Sequence, residues 1–331
     1  MSSPAFDRDR LRHLARAAAR HGVFVGTSSW KYPGWIGQLY TRDRYLYRGA
    51  FSETRFERDC LTEYAEVFST VSVDATYYRF PDERLLNSLL AAVPAGFRFT
   101  FKVTDTITVR TYPRLPRYGD RAGQPNPHFL DADRFAADFL APCAILGEHA
   151  GVLIFEFSRF HPSDFARGRD FVAALDTFLA RLPAGWRYGV EIRNRNLLHA
   201  DYFATLARHG AAHVFTSWEA MPPLADQLAH PGAFSSASFT AARLLLKPGR
   251  AYADAVRRFA PYDRLIEPYP EGRTAAVSLL ISRQTHPVQP PRPVHLFVNN
   301  RFEGNALLTL DSLLAAAFSN ALPDQGDPPV G

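Results

Sequence analysis

Cysteine is nearly absent: Cys60 and Cys143 are the only two in 331 residues, too few and too far apart for a disulfide framework or a Cys-based metal site. That scarcity suits a reducing cytosol. No apolar run approaches the length that spans a bilayer. Residues 7–21 are rich in Arg and Ala, with helical spacing of Leu11, Leu14 and Ala18, and they lack the continuous apolar core of a secretory signal. The chain therefore reads as soluble and cytoplasmic, with no membrane partner. Internal repeats, low-complexity blocks and linkers are missing too. No Gly-x-Gly-x-x-Gly follows the first apolar run, which removes the usual dinucleotide-binding reading. The charge imbalance is mild: the net charge of +5 is scattered along the chain, so a nucleic-acid partner is only weakly signalled. Few of the eleven histidines fall near an expected strand end: His213 and His295 lie within strands, and His13 and His21 precede them, so no zinc cluster is expected.

Short apolar runs, by contrast, recur at even intervals: residues 23–26, 71–75, 97–103, 152–157, 188–192, 212–216, 244–247 and 294–298. Most are nearly continuous, as parallel strands covered on both faces require. Stretches of helical periodicity alternate with them, at 56–68, 82–93, 131–148, 163–182, 199–209, 218–230 and 305–320, several opening on cap residues such as Asp82, Asp131 and Ser163. Eight strands alternating with helices predict a (β/α)8 barrel, with an open doubly wound sheet as the lesser alternative. The expected division is an N-terminal helical extension over 1–22, one barrel domain over 23–321, and a flexible tail over 322–331. Surplus length falls at 31–55 and 106–127, after strands one and three, and at 250–293, where a helix is expected over 274–284.

In such a barrel the chemistry sits where strands end. Those ends carry Thr27 and Trp30; Asp74, Thr76 and Tyr78; Lys102; Glu156 and Ser158; Glu191 and Arg193; Thr216 and Trp218; Lys247; and Asn299 with Asn300. Alternation along a strand puts Glu191 with Arg193 on one face, and Asp74, Thr76 and Tyr78 on another. The loop after the first strand, Trp30-Lys31-Tyr32-Pro33-Gly34-Trp35, gathers aromatics that either plug the fold or line a cavity, and the cavity wall is the favoured reading. For any one residue a satisfied ion pair, as between Glu191 and Arg193, outweighs direct catalysis. For the whole set a binding site is favoured, because each unpaired buried ion costs several kcal/mol.

The ordered motifs Gly26-Thr27-Ser28-Ser29-Trp30-Lys31-Tyr32-Pro33-Gly34-Trp35, Val73-Asp74-Ala75-Thr76-Tyr77-Tyr78, Phe99-Thr100-Phe101-Lys102-Val103, Val190-Glu191-Ile192-Arg193 and Phe297-Val298-Asn299-Asn300 resemble the YecE-like family, also called domain of unknown function 72. The resemblance spans roughly residues 23–321 and implies a TIM-barrel-like fold while leaving the activity open. The chain departs from the family pattern at four places. Ser72 and Asp74 replace Glu-x-Asn in the second strand, and Glu156-Phe157-Ser158 replaces a Gln-Pro ending in the fourth. Asn194 and Leu197 stand for His and Trp, and Leu245-Leu246-Lys247-Pro248-Gly249 stands for Arg-x-His-Gly in the seventh.

The residues themselves suggest a hydrolase or lyase acting on a small anionic or sugar-containing substrate. Glu191, Glu156 and Asp74 supply acid and base. Lys102, Arg193 and Lys247 bind an anionic group, Trp30, Tyr32, Tyr78 and Trp218 stack on a ring, and Thr27, Asn299 and Asn300 complete the contacts. A Schiff base through Lys102 or Lys247 is the enzyme variant. The alternative is non-catalytic binding of nucleic acid or nucleotide, through Trp30-Lys31-Tyr32 and Tyr112-x-Arg114-x-x-Arg117-Tyr118. No cofactor is expected, with carboxylate-bound Mg²⁺ at Asp74, Glu156 or Glu191 left open. The oligomeric state is not legible.

Overall fold

The computed structural model describes residues 6–234, 237–285 and 292–318. Eight parallel strands run in chain order around a barrel: β1 (Val23–Thr27), β2 (Thr70–Val73), β3 (Arg98–Lys102), β4 (Ala150–Phe157), β5 (Arg187–Ile192), β6 (Ala212–Ser217), β7 (Thr240–Leu244) and β8 (Val294–Val298). β8 returns to pair with β1, placing Val23 opposite Val294. The outer layer of helices meets the apolar outer faces of these strands, which is why β2, β6, β7 and β8 are buried at every position. This is the (β/α)8 architecture that the spacing of apolar runs predicts.

β1 and β2 share no ladder, and the barrel is closed there by a side chain. Gly26 lies so near β2 that a Cβ would sit 2.2 Å from the Thr70 carbonyl oxygen. The phenol of Tyr64, from the helix Glu53–Ala65, lies at this seam, its oxygen 3.0 Å from where a Gly26 Cβ would sit. The Thr27 N–H donates to the Tyr64 oxygen at 3.0 Å, and the Tyr64 hydroxyl donates to the Thr70 carbonyl at 3.1 Å. One buried hydroxyl thus satisfies a strand donor and a strand acceptor that the missing ladder leaves open.

The helix Arg8–Arg20 buries Leu11, Leu14 and Ala18 and is capped by Asp7, whose carboxylate accepts from the Arg10 N–H. Ion pairs from Arg10 to Asp311 (2.9 Å) and from Arg8 to Glu66 (2.7 Å) tie it to the barrel's helices. Asp82 and Asp131 cap helices as their spacing predicts. Three helical expectations change. The run at 131–148 breaks into an α turn over Ala132–Arg134, a π turn over Phe135–Leu140, a second α turn over Ala141–Cys143 and a final 3-10 stretch over Ala144–His149, because Pro142 carries no N–H for the regular ladder. The helix expected from Ser163 begins at Gly168, since Asp164 holds the preceding chain in a turn by accepting from His161 N–H at 2.7 Å. The one expected at 218–230 is confined to Leu224–Leu228 behind Pro222 and Pro223. The last helix is Ala306–Phe318, and the expected tail at 322–331 lies outside the described residues.

The largest shift concerns the seventh strand. The apolar triplet Leu244-Leu245-Leu246 draws the eye to 244–247, yet the strand occupies Thr240–Leu244, opposite Val214–Ser217 of β6. Two alanines and an arginine form most of it. The shift moves Lys247 off the strand end and brings Arg243 into the barrel.

Candidate active site

Arg243 is the organising residue of the C-terminal mouth. It projects from the inner face of β7, where 2% of its side chain is exposed, and its guanidinium reaches three carboxylates. Nη1 donates to Glu156 Oε2 at 2.6 Å and to Glu191 Oε2 at 2.8 Å, and Nη2 donates to Asp74 Oδ1 at 3.2 Å. Glu156 and Glu191 are directly opposed across β4 and β5, so two like charges meet in the barrel interior and a cation between them is obligatory. Arg193 supplies a second, with Nη2 at 2.7 Å from Glu191 and 2.9 Å from Glu156. Lys102 supplies the third, 2.9 Å from Glu156 and 3.6 Å above the Tyr77 ring. The Thr216 hydroxyl donates to Glu191 at 3.1 Å. Three carboxylates and three cations therefore cancel within one cluster.

The cluster is open at one corner. Glu191 is fully buried and Glu156 is 9% exposed at its side chain, whereas 37% of the Asp74 side chain reaches solvent. Their protonation is driven in opposite directions. Burial acts on both as a raising influence. For Asp74 it outweighs the attraction of Arg243 and Lys102, so the carboxyl is held above the usual aspartate range. For Glu156 the combined charges of Arg193, Lys102 and Arg243 outweigh burial and hold the group well below the usual carboxylate range. Each carboxylate that a Mg²⁺ ion would use is already held by a guanidinium or ammonium group.

Aromatic rings border this corner. Tyr78 is 61% exposed and lies under Arg117, 4.9 Å from its ring centre. Trp218 is stacked beneath Arg193 at 3.8 Å and faces Tyr252, which in turn carries Arg301 at 4.7 Å. Tyr32 keeps part of its surface open, and its phenol is pushed up to about 12 by burial, with Asp74 adding to the rise and Arg301 opposing it. Sequence reasoning passed over Arg243, Tyr252 and Arg301. An arginine between Ala242 and Leu244 in an otherwise apolar run was the available signal for the first, since such a charge is retained only when a partner faces it.

Other expected contacts take structural roles. Trp30 and Trp35 are packed in the core, so at these two rings the first loop is a plug. Thr27 is buried at the Tyr64 seam, its hydroxyl donating to Ser29 carbonyl at 2.7 Å. Asn299 caps the turn after β8 by accepting from Arg301 N–H, and Asn300 accepts from Ala306 N–H at 2.7 Å. Polar side chains that terminate β8 thus satisfy loop amides. Lys247 pairs loosely with Glu267 at 3.7 Å, away from the charge cluster. The shared face of Asp74, Thr76 and Tyr78 does not form, because the chain turns into a 3-10 helix at Asp74 and alternation ends with the strand. In the segment after β3, Tyr112 and Tyr118 are buried, their hydroxyls donating to Asn126 and Asp105.

Fold and mouth together define a TIM-barrel-like protein with a compensated charge cluster at its C-terminal end. The family model described as protein of unknown function DUF72 matches residues 24–328, and the chain belongs to that family. A DUF72 family protein from Enterococcus faecalis, EF0366, is similar in structure with a TM-score of 0.58 at 15% identity, covering 93% of this chain and 100% of that one. A DUF72 family protein from Thermotoga maritima, TM1631, gives a TM-score of 0.55 at 18% identity, covering 88% of this chain and 97% of that one. At these identities the likeness concerns the fold. No curated protein matches the sequence.

Proposed function

We propose that the mouth binds a small, ring-containing polar substrate, sugar-like or anionic, and hydrolyses a bond in it with Asp74 as general acid. The observation that carries this reading is the unequal setting of two carboxyls on one guanidinium: among the described residues Asp74 pairs with Arg243 alone and reaches solvent, whereas Glu156 is enclosed by Lys102, Arg193 and Arg243, and the pKa directions, raised for Asp74 and lowered for Glu156, agree with it. Carboxyls driven apart in this way divide the roles of proton donor and charged stabiliser. Asp74 gives its proton to the leaving oxygen as that bond breaks, the ionised Glu156 supports the positive charge developing on the substrate, and a solvent water bonds to the vacated atom and returns its proton to the Asp74 carboxylate. Glu191, saturated by Arg193, Arg243 and Thr216, is a positioning residue and exchanges no proton. Tyr78, Trp218 and Tyr252 offer ring faces, and Arg301 and Arg117 offer charge to an anionic substituent.

The test is turnover of a panel of 4-nitrophenyl glycosides, phosphomonoesters and carboxylic esters by the full chain and by Asp74→Asn. For the substrate that is hydrolysed, the variant is expected to lose about 10²–10⁴-fold in kcat, the usual contribution of a positioned acid. Wild-type kcat should fall as pH rises through the Asp74 pKa, because the acid is then deprotonated. Turnover by Asp74→Asn equal to wild type overturns the assignment.

A further inference from the structure

The opposite end of the barrel breaks the charge rule that the mouth obeys. Arg98 opens β3 and Arg187 opens β5, and alternation puts both on the inner faces that carry Lys102 and Glu191 four residues later. Both line a cavity of about 420 Å³ at the N-terminal end, walled by Gly147, Gly151, Gly185 and Trp186. Its one acidic lining residue, Glu148, is exposed. Among the described residues neither arginine forms an ion pair: Arg187 donates to the Ala150 carbonyl at 3.3 Å, and Arg98 lies over the Phe24 ring at 4.7 Å. The two cations feel each other, since burial and then the charge of Arg98 lower the pKa of Arg187.

A second observation points the same way. His295 of β8 is completely buried in this part of the barrel, stacked on Phe24 at 5.2 Å, and among the described residues neither ring nitrogen has a hydrogen-bond partner. Burial, with the charges of Arg187 and Arg98, lowers its pKa to about 3. At the mouth three cations meet three carboxylates. Here, among the described residues, two arginines and an unpartnered imidazole pair with no carboxylate, the lining Glu148 being exposed. Keeping like charges together at a partly desolvated site is unfavourable unless an anion joins them. Paired guanidinium groups match a tetrahedral oxyanion, which accepts several charge-assisted hydrogen bonds at once.

We propose that this cavity is an anion site separate from the mouth, in which Arg98 and Arg187 hold a doubly charged oxyanion, either inorganic phosphate or the phosphate of a small monoester. Its volume falls in the range of small-molecule sites, so it accommodates the anion with a short organic group. The proposal does not rest on the hydrolytic reading of the mouth.

Calorimetric titration of the full chain with inorganic phosphate, and separately with glycerol phosphate, at constant ionic strength tests it. Wild type is expected to bind with one saturable site. Arg187→Gln and Arg98→Gln should each weaken binding at least about 10-fold, the loss of one charge-assisted contact, with circular dichroism showing that each variant is folded. Asp74→Asn should bind as wild type does, which separates this site from the mouth. Tighter binding of glycerol phosphate identifies a monoester as the ligand, and equal or weaker binding identifies the free ion. Absence of saturable binding, wild-type affinity in both folded arginine variants, or loss of binding in Asp74→Asn overturns the proposal.

Discussion

Arg243 shows how much one side chain carries when it is the hub of a buried cluster. Removing it as Arg243→Met leaves Asp74, Glu156 and Glu191 facing only Lys102 and Arg193. Breaking a buried ion network by deleting one partner costs about 3–5 kcal/mol, so urea unfolding at pH 7 should report a loss of that size. The loss should shrink as pH falls through the ordinary carboxylate range, because the orphaned carboxyls then protonate. A loss that stays constant with pH would show that packing of the arginine stem matters more than its charge. Asp74 behaves in the opposite sense. Its raised pKa means that the folded protein disfavours the ionised form, so this residue detracts from stability above its pKa and ceases to do so below the unfolded value. Such a liability at an open corner is what a functional group costs its fold.

At the level of elements, the barrel's strands and their order were legible because parallel strands buried on both faces leave continuous apolar runs. The site was legible only in part. Glu156, Glu191, Arg193 and Lys102 stand at strand ends and do meet, since the alternation rule holds inside a strand. It fails at Asp74, where a 3-10 turn takes over, and at Asn299 and Asn300, where polar residues serve loop amides. β7 was displaced because Thr240-Ala241-Ala242-Arg243 carries little apolar mass, while the Leu triplet beyond it carries much. The β1–β2 seam left no sequence signal at all: Tyr64 looks like any helical aromatic, and only the missing ladder beside Gly26 gives its hydroxyl a role. Tyr64→Phe should cost about 1–3 kcal/mol, the penalty for leaving buried donors and acceptors unmade. It should also speed hydrogen exchange of the Thr27 amide. An unchanged exchange rate would mean that the seam is held by packing alone.

For the molecule as a whole, His213 and His295 set the response to mild acid. Both are buried, and burial first of all lowers each to about 3, far below the unfolded value. Between the ordinary histidine pKa and that lowered value the unfolded chain binds protons that the native state refuses, so stability declines as pH falls. Each histidine contributes up to about 1.4 kcal/mol per pH unit in that window. The decline should begin near pH 6.5, the ordinary histidine value, before Glu156 and the other paired carboxylates lose their stabilising charge at lower pH. Urea midpoints that stay level from about pH 7 to 5 would contradict this reading. The decisive measurement for the mouth is the ionisation of Asp74 itself, followed by carboxyl ¹³C NMR of aspartate-labelled full chain and assigned by comparison with Asp74→Asn. A titration midpoint clearly above the ordinary aspartate value of about 3.9 is predicted; a midpoint at or below it would leave Asp74 an ordinary ion-pair partner of Arg243 and remove the proton donor from the proposed chemistry.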